Sequence, residues 1–392
     1  MSIGKTPKWT ATPTAGLQIN SVAISPDGAL SLCGTSNEFG TGEFALFCYN
    51  ASGTLIWQQS VTGANATQGV FWVALSADKR FAAAGGESAK NVGFLTICNA
   101  ATGTILLNIQ QGLPGRVNQV SFSDDGTLLV AAFSNAVQLY RLQDDGTFGC
   151  RSTWTIDAAF DCINAVISGD GSRVWAAAIN YGTTPYTGLV ACIEIRGDLF
   201  SIVNKYTLSS GAMRIATTAN GMFAAAALHT GGCALFWAGQ TGAPAWTYTP
   251  SQSTLSLAYA IAITQTTGGN VVVACGTNQT GDGGFLYRVD AVPAGTLQWT
   301  PSLRWIATLQ YSANPGVSLD LNAGLVTATD GKPKQATPGA TPESPGNFYL
   351  FDGASGTCLW QYPTALMNWP MVITPDGTAA LGGSDDGTLC YW

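Results

Sequence analysis

The sequence predicts an all-β fold in which one four-stranded unit is repeated around a closed ring. Three observations predict it: a strand–turn–strand phrase that occurs eight times, a spacing that continues across the two chain ends, and a composition suited to strands and tight turns. Hydrophobic residues make up 46% of the 392 residues and charged residues 10%, with 47 glycines. An average soluble chain has roughly 25% charged residues. Aromatic and β-branched residues are plentiful, which excludes a disordered chain.

The phrase is an apolar strand, a polar turn and a second apolar strand rich in small residues. Its copies are "SVAISPDGALSLCGTS", "WVALSADKRFAAAGGES", "QVSFSDDGTLLVAAFSN", "AVISGDGSRVWAAAIN", "RIATTANGMFAAAALHT", "IAITQTTGGNVVVACGTN", "VSLDLNAGLVTATDG" and "MVITPDGTAALGGSDDG". Anchored at Val22, Val73, Val120, Ala165, Ile215, Ile261, Val317 and Met371, they recur every 45 to 56 residues, and the arc from Met371 through the chain ends to Val22 adds 43. These first two strands, A and B, are nearly all apolar, as expected where both faces are covered.

A third strand, a Gly turn and usually a Trp follow each pair, as in "ALFCYNASGTLIW" and "FYLFDGASGTCLW". Trp57, Trp154, Trp246, Trp299 and Trp360 then open strand D. One Trp per unit at one repeat position reads as packing between neighbours. Units two and four lack it ("TILLNIQQG", "SIVNKYTLSS") and are expected to pack with Leu or Tyr. The final "GGSDDGTLCYW" supplies only strands B and C, while "GKTPKWTATPTAG" at the start matches "SGTLIWQQSVTG", Gly4 on Gly53 and Trp9 on Trp57. The N-terminal strand is therefore expected to complete the last sheet and leave no open edge between units.

The expected architecture is an eight-bladed β-propeller of four-stranded antiparallel blades closed by the N-terminal strand, or seven blades if one weak unit merges with its neighbour. The blades are placed at about 19–66, 67–115, 116–159, 160–210, 211–255, 256–308, 309–366, and 367–392 with 1–18, in a single domain.

The "SPDG" turn and the "D-x-x-TG-x-x-x-W" ending resemble the repeats of pyrroloquinoline-quinone-like and WD-repeat-like β-propellers across essentially the whole chain. That resemblance implies fold more than activity. Among such propellers, quinoprotein dehydrogenases use two adjacent disulfide-linked cysteines and a calcium at the axis. Here no two cysteines adjoin and no haem-attaching CxxCH occurs. A scaffold lipoprotein of the same architecture carries an acylated N-terminal Cys, also absent, as is the WD dipeptide.

With 16 Lys and Arg and a formal charge of −7, the acidic chain offers no basic groove for nucleic acid. No run reaches the roughly 18 apolar residues of a spanning helix, and the start is not read as a signal peptide. Ten cysteines, among them Cys33, Cys48, Cys98 and Cys275, lie mostly inside strand-like runs and are read as buried free thiols. This favours a reducing, cytoplasmic setting by default, while the low charge content suits an extracellular or assembly-bound protein.

The turns Asp27-Gly28, Asp125-Gly126, Asp170-Gly171 and Asp376-Gly377 are read as hairpin turns that need positive φ at Gly rather than as calcium loops, and the "SDDGT" stretch likewise. His229 is the single histidine, which excludes sites built on several. No catalytic motif, metal site or cofactor site is predicted.

Long, variable B–C connections ("TSNEFGTGE", "GESAKNVG", "INYGTTPYTG", "TNQTGDGG" and the Pro-rich stretch across 331–347) gather on one face. Residues entering strand A would rim the channel on that face: Asn20, Trp72, Asn118, Asn164, Arg214, Tyr259 and Trp369, with His229 nearby. This rim could hold a polar ligand or peptide, or be a water-filled lining. The reading is a non-enzymatic scaffold that binds a protein partner. The alternatives are a carbohydrate-binding propeller and an enzyme with a cofactor or metal on the axis.

Overall fold

Every described strand is antiparallel to its neighbours, and no helix is present among the described residues. The computed structural model describes residues 4–252, 255–281, 283–295, 297–332 and 345–392. Most of the Pro-rich stretch, residues 333–344, lies outside them.

The innermost strands, one per blade, are Gln18–Ile24, Ala66–Leu75, Val117–Phe122, Asp161–Ile167, Ala212–Thr217, Leu255–Gln265, Ser312–Leu319 and Asn368–Ile373. Each starts a four-stranded meander. Hydrogen-bonded sheets number seven, because one has eight strands. In it, Leu30–Gly42, strand B of the first blade, runs past its own partner and pairs with the second blade's inner strand, Ser36 opposite Gly69 and Gly42 opposite Ala66. The "TSNEFGTGE" connection is thus largely strand, not loop. Two meanders merge into one sheet, yet each keeps its own inner strand, so eight inner strands surround the axis.

Packing closes the same ring. Eight apolar clusters each join two adjacent blades. The last blade packs on the seventh through Trp360, Met371, Cys390 and Trp392, and on the first through Ile19, Cys33, Leu381 and Tyr391. Small residues in strand B (Ala82, Ala83 and Ala84; Ala224 to Ala227) let sheets approach closely and are fully buried. The nine described cysteines are free, and seven of them are buried core residues. Burial pushes the thiols of Cys48, Cys98, Cys192 and Cys390 up to about 12.

The N-terminal strand Trp9–Ala11 pairs with Leu389–Tyr391, Trp9 opposite Tyr391. Its Trp does what the internal ones do. Trp57 donates its indole N–H to the carbonyl of Ala100 (2.7 Å), in the C–D turn of the next blade. Trp9 donates to Ala51 (3.1 Å) in the first blade's turn. A Cβ on Gly103 would meet Trp57 at 2.9 Å, and one on Gly53 would meet Trp9 at 2.7 Å. At Gly53 and Gly103 the turn glycine is therefore the seat for the preceding blade's Trp.

In the sixth blade this role belongs to Trp305, not to Trp299. Trp305 donates to Gly353 (2.7 Å) and lies against Gly356. Strands Gly284–Gly295 and Gln298–Leu309 are 12 residues long. The outer hairpin therefore extends beyond the usual turn and carries Trp299 out to Phe223 and Trp237 of the fifth blade (5.1 and 5.2 Å between ring centroids). In the fourth blade Tyr206 replaces Trp: it is fully buried and its hydroxyl donates to Gln240 (2.5 Å) in the next turn. In the second blade Leu107 and Ile109 fill the position.

Four of the A–B turns share one construction. The hydroxyls of Ser25, Ser123, Ser168 and Thr374 donate to Asp27, Asp125, Asp170 and Asp376 at 2.5 to 2.7 Å, and Gly28, Gly126, Gly171 and Gly377 have φ of 65 to 71°. These carboxylates are engaged in turns, as the sequence reading expects. The Lys79 ammonium and the Ser25 hydroxyl hold Asp27 well below the ordinary 3.8. At Asp125 burial acts upward, but the hydrogen bonds from Ser123 and Thr127 prevail and lower it. At Asp376, Thr374 leads the lowering. Folded values below unfolded ones give stability that is complete above the unfolded pKa and is lost as pH falls through the folded values. Asp330 and Asp124, both raised chiefly by burial, act in the opposite sense but are outnumbered by the lowered carboxylates Asp27, Asp125, Asp170 and Asp376. The urea midpoint is therefore expected to fall between about pH 4 and pH 2, and the fall to shrink in Asp125→Asn. A flat profile would contradict this account of the turns.

Candidate functional site

At the same point in every blade the pairing of the inner strand with strand B is irregular. The register slips between Ile19 and Ser21, Val70 and Trp72, Val117 and Gln119, Cys162 and Asn164, Ala212 and Arg214, and Ala258 and Ala260. The seventh and eighth blades slip between Asn314 and Ser318 and between Asn368 and Met371. A bulge turns a side chain out of the alternating pattern. At this level two successive residues reach the axis in the first and second blades, Asn20 with Ser21 and Phe71 with Trp72, and Gln119, Asn164, Arg214 and Ala260 do so in the third to sixth.

The result is an axial cavity of about 360 Å³ lined by residues of all eight inner strands. Of the rim residues expected from sequence, Asn20, Trp72, Asn164, Arg214 and Trp369 line it directly. Tyr259 reaches Arg214, whose Nη2 donates to its hydroxyl (3.4 Å). Asn118 accepts a hydrogen bond from Nε of Arg116 (2.9 Å), a lining residue. His229 does not line the cavity. It sits beyond strand B of the fifth blade, edge-on to Tyr186 (4.8 Å), which contacts Tyr181 (5.3 Å).

Sequence reasoning missed Phe71, Gln119 and Arg116. Gln119 shares the repeat position of Trp72, Asn164 and Arg214, so its position was readable. Phe71 occupies the bulge. Arg116 precedes its strand, in a connection with no fixed repeat position.

Two arginines meet aromatic rings here. The guanidinium carbon of Arg116 is 3.8 Å from the centroid of Phe71. That of Arg214 is 5.8 Å from Phe71, 5.1 Å from Trp72 and 4.9 Å from Tyr259. The rings stabilise the buried cations, and Nη1 of Arg116 donates to Gln68 (3.1 Å). Burial, reinforced by the neighbouring Arg214 charge, lowers the pKa of Arg116, although an arginine remains protonated. Arg214 is 5% exposed, yet its Nε and Nη1 find no hydrogen-bond acceptor among the described residues. Trp369 Nε1 and the carbonyl oxygens of the Asn20 and Gln119 amides are likewise buried without partners. Below this polar level the wall turns apolar, with Val22, Ile215, Ile261, Val317 and Met371.

The chain resembles known propellers in architecture. The β-propeller domain of Cps50 (Swd1) from Myceliophteria thermophila superposes with a TM-score of 0.54 at 14% identity, over 82% of this chain and 94% of that one. The likeness is one of fold. No family model matches the sequence, and no curated protein matches it significantly.

Proposed function

We propose that the chain is a non-enzymatic interaction propeller that presents the loop-bearing mouth of its axial cavity to a protein partner. The observation that carries this reading is the contrast between the two faces. On the lower face the A–B turns are short, nearly uniform and bonded to one another: Asp124 N–H to Gly169, Asp170 N–H to Ala219 and Leu321 N–H to Pro375 (2.8 to 3.3 Å). On the upper face the connections differ from blade to blade and carry half-exposed Tyr181, the Tyr186–His229 pair and exposed Lys90. Uniform turns serve the ring, whereas divergent loops on one face serve recognition.

Against the carbohydrate alternative, Trp57, Trp305 and Trp360 are buried between blades, so the repeat does not give several equivalent exposed pockets. Against an axial metal, the cavity brings two arginines together with a single carboxylate, Glu38, and no group of three His, Cys, Asp or Glu converges among the described residues. The pyrroloquinoline-quinone side of the sequence resemblance gains no support. The test is affinity capture with paired substitutions on the two faces, in which only upper-face changes are expected to lose the partner.

A further inference from the structure

Arg214 is the most unusual group in the axial cavity. A buried cation ordinarily has its donors satisfied, because an unpaired charged donor in a low-dielectric site is costly. Arg214 has Trp72, Tyr259 and Phe71 around it and one long hydrogen bond to Tyr259, while Nε and Nη1 remain free of protein partners. It forms none of the ion pairs found among the described residues. Arg116 contributes a second positive charge to the same cavity. The indole N–H of Trp369 is a third donor without an acceptor. Glu38 is the one carboxylate in the same lining, and it and Glu87 act on Arg116, so the cation left without an ion pair in this low-dielectric cavity is Arg214.

We propose that the axial cavity binds a carboxylate joined to an apolar group. The carboxylate accepts hydrogen bonds from Arg214, with Arg116 and the Trp369 indole beside it. The apolar group lies against Val22, Ile215, Ile261, Val317 and Met371 below. Planar guanidinium donors suit a planar carboxylate, and about 360 Å³ falls within the range of small-ligand pockets. The chemistry has two sources: a free organic acid, or the C-terminal residue of a partner chain that ends in an apolar side chain. The second source rests on the proposed interaction reading, and the first does not.

The experiment is calorimetric titration of the full chain with octanoate, octanamide, N-acetyl-glycyl-leucine and the amide of that peptide. At least one acid is expected to bind with one site per chain. Its amide should bind about ten- to a hundredfold more weakly, the loss expected for hydrogen bonds to a charged group. Arg214→Met, checked for folding by its urea midpoint, should abolish the preference, and Arg116→Gln should weaken it. Octanoate binding without peptide binding supports the site and assigns it to free acids. Peptide binding without octanoate binding assigns it to a partner's C-terminus. No saturable binding of either acid, equal binding of acid and amide, or an acid preference that survives in Arg214→Met would overturn the proposal. Acid binding in a chain whose partner capture is indifferent to the upper face would leave this site standing while removing the interaction reading.

Discussion

Truncation at Thr12, which removes the closing strand, is expected to be the most damaging change short of disrupting a whole blade. It strips Leu389–Tyr391 of its outer partner, leaving it paired only with Ala380–Ser384, and removes the Trp9 ring, stacked on Tyr391 at 5.1 Å and packed near Tyr49 at 5.8 Å. It also removes the carbonyl of Lys5, which accepts from the Trp392 indole (3.0 Å). Trp9 is half-buried, so the loss of its ring alone costs roughly half of the 3–5 kcal/mol of a fully buried Trp. The exposed strand becomes a template for self-association. A lower urea midpoint and concentration-dependent dimers in size-exclusion chromatography are expected, with recovery on adding a synthetic peptide of residues 4–13. Trp9→Ala should reproduce the stability loss with less association, because the backbone pairing survives. An unchanged midpoint after truncation would mean that the ring does not depend on this strand.

The second large effect separates two tryptophans of one strand. Trp305→Ala is expected to cost about 3–5 kcal/mol, because it empties the joint between the sixth and seventh blades. There the indole is buried, bonded to Gly353 and stacked near Phe351 at 6.3 Å. Arg288 strengthens the same joint by donating from Nη1 to Gly353 (2.8 Å) and Ala323 (2.9 Å). Trp299→Ala should cost roughly half as much, since that ring is half-buried and lies on the distal hairpin. Equilibrium urea unfolding of both variants decides. A larger loss in Trp299→Ala would restore the assignment that the sequence pattern suggests.

That pattern spells "GTLQW" in the sixth blade just as it spells "GTLIW" in the first. Local spelling cannot register that the hairpin has lengthened and that the next Trp, six residues on, now holds the packing position. The ring itself was legible because each copy carries the same apolar strand, short polar turn and second apolar strand, with a Ser/Thr–x–Asp–Gly turn in four of the eight (the first, third, fourth and eighth). The arc across the chain ends has a similar length, so closure by Trp9–Ala11 followed. The seven-or-eight ambiguity also has a physical basis: the first blade's strand B pairs into the second blade. Of the residues that repeat position picked out, Asn20, Trp72, Asn164, Arg214 and Trp369 lie around the axial cavity. Repeat position did not reveal the bulges that give Asn20 and Ser21, or Phe71 and Trp72, neighbouring places there. His229 was drawn into the rim by sequence proximity, although strand B carries it to the outer loops. The free donors of Arg214 depend on what fails to surround it, which no sequence motif records.

The claim that recognition sits at the loop-bearing mouth is tested most directly by affinity capture from the source organism with paired variants. The upper-face pair is Tyr181→Ser with Lys90→Glu, and the lower-face pair is Asn220→Arg with Leu321→Arg; all four residues are exposed. The account predicts a stoichiometric protein recovered with the native chain and the lower-face pair, and lost or reduced at least about tenfold with the upper-face pair. Loss confined to the lower-face pair would contradict it.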